Sequence, residues 1–364
     1  MEQRDTTEWV EGFREGYGTG YSDGYRAGLE AGRTQAFYDA KAERKRAKYE
    51  LKAQRRELKA QRYGKHAAHT QDSHGSHAGA EHAPSSQPRK GRKAIEATIT
   101  GKESVSPAMV RIRANAPGLI GRELTKTDHY VKILFVPEGA PYSWPFDLAH
   151  IKDTQPKKYR PVTRTYTLRS VDTITGDIAI DFVLHGDTGL AGPWARDVEV
   201  GETFAFVGPG GGWAPTPRYD HFVLAGDESA APAIAASLEK IPSTSTAIAF
   251  FEIEEPGHEF AVPEGDNITV RWVYRHGSMP GRALADAVRS YECPEGSVGW
   301  FVHGVAEMIK EIRRELYVGR GVSKKDASIS GYWRLRMTED QWQSSKQEFV
   351  AEMESAEQAA ARKK

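Results

Sequence analysis

The hydrophobic pattern of the chain changes near residue 217. Between residues 93 and 217, apolar and polar positions alternate in six short runs separated by Gly, Pro and Asp, as in β-strands joined by turns. These runs span residues 95–100, 109–114, 130–136, 164–168, 178–184 and 203–207. Because no helical pattern interrupts them, they predict a small, closed, antiparallel β-barrel.

After residue 217, short apolar runs alternate with segments of helical periodicity. The predicted strands span residues 222–225, 246–253, 268–274 and 298–302, and the predicted helices span residues 230–239, 283–290 and 306–318. This alternation predicts a parallel sheet covered by helices, and a last helix is expected from Thr338 to about residue 361. A ligand of such a sheet binds at the carboxyl ends of its strands, where Gly226, Glu252, Arg275 and Gly304 emerge.

The first 92 residues have a different composition. Gly recurs at every fourth position from Gly12 to Gly32, and most of these glycines precede an aromatic or aliphatic residue. On a helix this repeat would form stripes that favour self-association or docking of a protein partner through residues 12–62; a flexible tail is the alternative. We therefore predict a helical or disordered extension over residues 1–63 and a histidine-rich linker over residues 64–92.

The formal net charge of zero conceals a basic segment in this extension. Between Lys41 and Lys65 there are eleven basic and three acidic residues, a net charge of +8. We do not expect nucleic acid to be a partner, because no recognisable nucleic-acid-binding fold accompanies the charge. Neither a membrane span nor a signal peptide is recognisable, so the expected compartment is the cytoplasm.

The chain contains one cysteine, Cys293. It cannot form an internal disulfide, and one chain cannot build a thiolate cluster of iron or zinc from it. We predict no metal site, so any redox chemistry must come from a bound organic cofactor or from a metal that arrives with a substrate.

The run Arg164-Thr165-Tyr166-Thr167-Leu168-Arg169 is the strongest candidate for a binding strand. Alternation places Arg164, Tyr166 and Leu168 on one face, and the two threonines and Arg169 on the other. A tyrosine ring can lie against a flavin, a threonine can hydrogen-bond a ring nitrogen, and an arginine suits a pyrophosphate. The alternative is a half-buried strand with solvated arginines.

Five further motifs follow this strand in order. They occupy residues 182–187, 189–195, 208–213, 224–233 and 331–334. The succession resembles the siderophore-interacting protein family, which comprises flavin-dependent ferric-siderophore reductases of the ferredoxin-reductase superfamily. The resemblance implies an FAD-binding β-barrel over residues 93–217, a nicotinamide-binding α/β domain over residues 218–335 and a C-terminal helix over residues 336–364. The reaction that it implies is reduction of chelated Fe(III) to Fe(II).

The resemblance also implies the residues of the site. Tyr166 and Thr167 are the expected catalytic residues, and Lys132 and Arg334 are the cations expected to attract an anionic ferric siderophore. The residues expected to bind FAD are Arg164, Tyr166, Thr167, Leu168, Arg169, His185, Gly186, Gly192, Trp194 and Ala195. The residues expected to bind the nicotinamide cofactor are Gly226, Asp227, Glu228 and Arg275.

The sequence leaves the electron donor and the exact activity open. Glu252, Glu254 and Glu255 favour the free ribose hydroxyl of NADH, whereas Arg275 is able to attract the 2′-phosphate of NADPH. We expect NADH, with NADPH as the alternative. A general flavin reductase or ferredoxin-coupled reductase on the same fold is an alternative activity. A non-catalytic protein that binds partners through its N-terminal extension is another.

Overall fold

The structure, a computed structural model, describes residues 93–184 and 189–361. The predicted extension and histidine-rich linker lie outside the described residues, and so do His185 and Gly186. Within the described ranges, no helix is both long and apolar enough to cross a membrane.

Six antiparallel strands close into a barrel in the order β1-β2-β5-β4-β3-β6. They are β1 (Ile95–Ser106), β2 (Met109–Asn115), β3 (Tyr130–Phe135), β4 (Val162–Val171), β5 (Asp177–Val183) and β6 (Thr203–Gly210). Alternate residues point inward: in β1, Ile95, Ala97 and Ile99 are buried while Glu96 and Thr98 are exposed. The predicted closed barrel is therefore confirmed. The alternation of apolar and polar residues along a strand gives it one face that can be buried inside the barrel.

Five parallel strands form a sheet in the order β11-β10-β7-β8-β9. They are β7 (His221–Asp227), β8 (Thr246–Ile253), β9 (Ile268–Tyr274), β10 (Val298–Val305) and β11 (Ala327–Trp333). The sequence predicted the first four, and β11 was missed. Because β7, β8 and β9 are neighbours, the residues that follow these three strands lie along one edge of the sheet.

Helices cover both faces of the sheet, as predicted. Of the described helices, α1 (Leu148–Thr154) and α2 (Ala191–Asp197) belong to the barrel domain, and α3 (Ala231–Leu238), α4 (Arg282–Ser290), α5 (Ala306–Arg314) and α6 (Glu339–Ala361) belong to the α/β domain. On β7, Phe222 and Leu224 pack in one core with α3, whereas Val223 and Ala225 pack in the other with α4, α5 and α6. A π-helical turn, Glu315–Gly319, extends α5 to where the predicted helix ended.

The start of α6 is fixed by a reciprocal cap. The Gln341 backbone N–H donates to the Thr338 hydroxyl at 3.3 Å, and the Thr338 N–H donates to the Gln341 side chain at 2.9 Å. Trp342 is 1% exposed and packs with Phe349 in the core of the α/β domain. This anchoring holds the first turn of α6, with Glu339 in it, against strand β4 of the barrel.

Candidate active site

The inward face of β4 joins the aromatic core of the barrel. The Tyr166 ring lies 4.3 Å from that of Phe182, which lies 5.4 Å from Trp194 on α2. Burial raises the pKa of the Tyr166 phenol. Leu168 is 2% exposed. Two residues predicted to bind FAD, Tyr166 and Trp194, are thus both in contact with one phenylalanine, Phe182.

The outward face of β4 meets the α/β domain. The Thr165 N–H donates to the Glu339 carboxylate at 3.0 Å, and Arg169 pairs with Glu239, just after α3, at 2.7 Å. Burial raises the pKa of Glu339, while its bond to Thr165 acts in the opposite direction. Tyr166 and Leu168 thus pack in the barrel core and Arg169 meets the α/β domain, as the alternation predicts, but Arg164, which was predicted to share the face of Tyr166, also reaches Glu339.

Arg164 lies at the same boundary. Its guanidinium is 3.8 Å from the Glu339 carboxylate and 3.4 Å from that of Asp340, and it donates to the Thr163 carbonyl at 2.9 Å. The side chain of Asp340 is 68% exposed, so this partner is largely solvated. The barrel itself offers Arg164 no carboxylate among the contacts of the described residues.

An aromatic cavity of about 220 Å³ opens beside this part of the barrel. Its walls include four aromatic side chains from β3, the following loop, and α2: Phe135, Trp144, Phe146 and Trp194. Ile133, another wall residue, is paired in register with Arg164 on the adjacent strand. An aromatic cavity of this kind can accept a planar ring system. The adjacent strand, β4, carries the cation Arg164.

Helix α2 carries the other predicted FAD residues that the structure describes. Gly192 and Trp194 lie in its first turns, and Ala195 is fully buried against the barrel core. No side chain caps the first turn of this helix.

Two lysines are brought together near Glu339. The ammonium of Lys346, on α6, donates to the Ser330 hydroxyl at 3.2 Å. Burial lowers the pKa of Lys346, and the charge of Lys132 on β3 lowers it further. The sequence predicted Lys132 as a substrate-binding cation but missed Lys346. The sequence of α6 does not show that the side chain of this lysine is buried against the rest of the protein.

Arg334, the other predicted substrate cation, is held by the α/β domain. Its guanidinium lies 3.4 Å from the Glu307 carboxylate and 4.8 Å from the centre of the Phe349 ring. The side chain remains 31% exposed. Arg334 is therefore partly accessible to a substrate, but its positive charge is already paired with the carboxylate of Glu307.

A buried histidine, which the sequence did not single out, lies in the sheet close to this boundary. The ring of His303 stacks on Phe301 at 3.9 Å and lies 5.0 Å from that of Tyr332. Its Nε2 is 2.9 Å from the Ser328 hydroxyl, and its Nδ1 has no hydrogen-bond partner among the described residues. Burial lowers the pKa of His303 to about 3, so the ring is neutral. Tyr332 in turn interacts with the side chain of Thr167 on β4.

The end of β7 carries three predicted nucleotide residues. A Cβ at Gly226 would lie 2.5 Å from that of Ala230, so only glycine allows helix α3 to approach the strand this closely. The Asp227 carboxylate accepts hydrogen bonds from the Ser229 and Val305 backbone N–H groups and from the Trp333 indole, at 2.8–3.0 Å. Burial raises the pKa of Asp227. Asp227 is therefore a structural acceptor that joins three segments.

The third predicted residue, Glu228, binds the fourth, Arg275. The two side chains form a bidentate pair with distances of 2.6 and 2.7 Å. Arg275 also donates to Glu254 at 3.0 Å and lies 3.7 Å from Glu252. The structure thus brings Arg275, Glu228, Glu252 and Glu254 into one network, whereas Glu255 pairs with His258.

Comparisons with known proteins agree with this architecture. Residues 98–213 match the profile of the siderophore-interacting FAD-binding domain, and residues 219–336 match that of the siderophore-interacting protein. An uncharacterised protein of Mycobacterium tuberculosis is 37% identical over 269 residues, which cover 69% of this chain and 94% of that protein.

Two relatives carry informative names. The ferric vibriobactin reductase ViuB of Vibrio cholerae is 28% identical over 254 residues, which cover 66% of this chain and 89% of that protein. The crystal structure of a siderophore utilization protein from T. fusca is 28% identical, with a TM-score of 0.58 over 68% of this chain and 94% of that one.

Proposed function

Because this chain belongs to the siderophore-interacting protein family, we propose that it is an FAD-dependent oxidoreductase that passes electrons from NAD(P)H to a ferric siderophore. Fe(II), which the siderophore holds less tightly, is then released for iron assimilation in the cytoplasm. The observation that carries the proposal is the convergence of β4, the lysine pair Lys132 and Lys346, and strand β11 on one boundary.

The residues at this boundary fit FAD. Arg164 is the cation for its pyrophosphate, and the aromatic cavity beside β3 suits one of its planar rings. We assign Tyr166 to packing against the flavin and Thr167 to a hydrogen bond with it; the contact of Tyr332 with Thr167 supports this assignment. The backbone of α2, through Gly192, Trp194 and Ala195, supplies the neighbouring wall.

When bound, FAD supplies the conversion between a two-electron hydride donor and a one-electron acceptor, so each hydride serves two Fe(III) ions. The protein's part is to hold the side chains around the cofactor in position. Core packing around Phe182 holds Tyr166, and the buried ring of His303 is neutral, so it adds no further charge beside Lys346. No protein ligand to iron is required, because the siderophore already coordinates the metal.

Lys132 and Lys346 are the residues that we assign to the substrate. A ferric siderophore is often anionic, and two cations held close together raise the local concentration of an anion. Burial and the charge of Lys132 disfavour the charged form of Lys346, so an incoming anion relieves that cost. This is why we place the chelate here rather than at Arg334, whose charge is shared with Glu307.

The visible spectrum of the purified protein tests the proposal. We expect an oxidised-flavin spectrum that bleaches on anaerobic addition of NADH and recovers when a ferric catecholate is added, with Fe(II) trapped by ferrozine. A protein that stays colourless after incubation with FAD would overturn the proposal.

Charge variants test the substrate site. Lys346→Gln should raise KM for an anionic ferric catecholate about tenfold and leave the FAD content unchanged. Lys310→Gln, which removes an exposed lysine from α5, is the matched control and should leave KM unchanged. If both variants behave like the unmodified protein, Lys346 is not part of the substrate site.

A general flavin reductase is the second candidate, and the same fold supports it. Rates with free flavin and quinone acceptors distinguish the two: a preference for these over ferric chelates would favour the second candidate.

A further inference from the structure

Three successive parallel strands end at one network, to which β7 and β8 contribute carboxylates and β9 contributes Arg275. Glu228 follows β7, Glu252 lies near the end of β8, and Glu254 follows β8. Arg275 itself follows β9. The side chains of Arg275, Glu228 and Glu252 are 11%, 10% and 0% exposed, so the network is buried at the edge of the sheet.

Every nitrogen of the Arg275 guanidinium has a carboxylate partner. The two terminal nitrogens bind Glu228 at 2.6 and 2.7 Å, and Nε binds Glu254 at 3.0 Å. Burial disfavours the charge, but the bonds to Glu228 and Glu254 and the charge of Glu252 outweigh it and raise the pKa of Arg275. The three carboxylates outnumber the one arginine, so the network as a whole is negative.

These carboxylates are held by the backbone as well as by Arg275. Glu252 accepts the N–H groups of Gly281 and Leu284 at 2.7 and 3.2 Å, at the start of α4. Glu254 accepts the Gly277 N–H at 2.9 Å. Neither acid can turn away from the arginine without losing these bonds, so the negative character of the edge is fixed by the fold.

A dinucleotide that binds a parallel α/β sheet lies across the carboxyl ends of the strands. An acid at the end of the second strand accepts the 2′-hydroxyl of the adenosine ribose, whereas a free arginine nearby is what a 2′-phosphate requires. Here the second strand along the chain is β8, so Glu254, whose side chain is 42% exposed, stands at the acid's position, and the fully buried Glu252 adds its charge to that edge. The one arginine of the network, Arg275, is already saturated.

We propose that the electron donor is NADH, and that Glu228, Glu252 and Glu254 exclude NADPH by keeping Arg275 from its 2′-phosphate. This inference rests on the proposed function, because it assumes that a nicotinamide nucleotide reduces the flavin. Arg275 is on this account a structural cation, and the specificity determinants are the acids around it.

The test is anaerobic reduction of the FAD-loaded protein by NADH and by NADPH, followed at the flavin absorbance. The reduction rate divided by the apparent Kd should favour NADH about 100-fold, since a like-charge contact costs several kcal/mol. Binding of ADP-ribose and of its 2′-phosphorylated form, measured by calorimetry, provides a readout that does not depend on flavin reduction and should show the same order.

Single carboxylate replacements locate the selectivity. Glu254→Gln removes the most exposed of the three charges and should reduce the preference for NADH about tenfold by improving NADPH. Glu228→Gln should do the same if it folds, which circular dichroism checks. Glu311→Gln, which removes an acid paired with Arg289 on the surface, is the matched control and should leave the ratio unchanged.

The outcomes separate the inference from the proposed function. Equal or better use of NADPH would overturn the inference, and so would a preference for NADH that Glu254→Gln and Glu228→Gln do not alter. If neither nucleotide reduces the flavin but dithionite-reduced protein still reduces the ferric catecholate, the inference is wrong and ferric reduction stands. If the dithionite-reduced protein also fails, the proposed function is wrong.

Discussion

Arg164 in the barrel and Arg275 at the sheet edge are both arginines at ligand-facing strands, yet their surroundings are opposite. The carboxylates near Arg164 come from α6 of the other domain, at 3.4 and 3.8 Å, and Asp340 is mostly solvated. Those bonded to Arg275 come from its own sheet, at 2.6–3.0 Å. Arg164 is therefore the less tightly paired of these two arginines and the better candidate to bind a phosphate.

Removing Arg275 should have the largest effect on stability. In Arg275→Leu, Glu228 and Glu252 would be buried without their cation, which should lower the free energy of unfolding by about 3–5 kcal/mol. Denaturant titration measures this. Arg289→Leu, which removes an exposed arginine from α4, should cost under about 1 kcal/mol. Equal costs for the two variants would contradict the comparison.

Removing Arg164 should affect cofactor binding instead. Arg164→Gln loses a charge-assisted contact with the FAD pyrophosphate, so the Kd for FAD should rise roughly 30-fold, equivalent to about 2 kcal/mol. Quenching of flavin fluorescence on titration of the apoprotein measures it. Arg113→Gln, on the far strand β2, is the control. An unchanged Kd in Arg164→Gln would show that the pyrophosphate lies elsewhere.

His303 extends the comparison of the two arginines to a buried titratable group that has no carboxylate partner among the described residues. Burial, and then the charge of Lys346, lower its pKa to about 3. At pH values between about 3 and 6.5, the unfolded chain therefore binds a proton at this histidine that the folded protein does not. Its contribution to stability is present above about pH 6.5 and is lost as the pH falls towards 3.

Between pH 6.5 and 5 this loss is about 2 kcal/mol. His303→Phe should therefore show a shallower fall in unfolding free energy over that interval, measured by urea titration at several pH values. His150→Ala, which replaces an exposed histidine, should keep the slope of the unmodified protein. The same slope in all three proteins would refute the assignment.

The smallest effect is expected at Asp340. Asp340→Asn removes the solvated acid closest to Arg164 and should tighten FAD binding by about twofold to threefold, as expected for a surface ion pair. The flavin titration used for Arg164→Gln also measures this variant. Glu352→Gln, an exposed change further along α6, should have no effect. Weaker FAD binding in Asp340→Asn would mean that the acid supports the site.

Periodicity was sufficient to predict most of the fold. Six alternating runs predicted the barrel, and the change of pattern after residue 217 predicted the parallel sheet. Strand β11 was missed because Ala327–Trp333 is rich in Ala, Ser and Gly and lies at the edge of the sheet, where burial imposes a weaker pattern. The predicted domain boundaries and site residues remain predictions.

The site was predictable only in part, because its contacts join distant segments. Lys346 is more than 200 residues from Lys132 along the chain, and the helical pattern of α6 does not show that it faces the barrel. The sequence predicted that Glu252 and Arg275 lie at strand ends, but it left both NADH and NADPH open as the electron donor. Which acids reach Arg275 depends on the order of the strands, and only the folded sheet provides that order.

The carboxylate of Asp227 also constrains how the sequence can change during evolution. It serves Ser229, Val305 and Trp333 at once, and a Cβ at Gly304 would lie 2.7 Å from its Oδ2. Substitution of Asp227 removes the acceptor, substitution of Trp333 removes the indole donor, and a side chain at Gly304 creates a clash, whereas the backbone donors of Ser229 and Val305 are lost only on replacement by proline. Homologues that lack the acid should therefore differ at several of these positions together, and the covariation should be visible across the family.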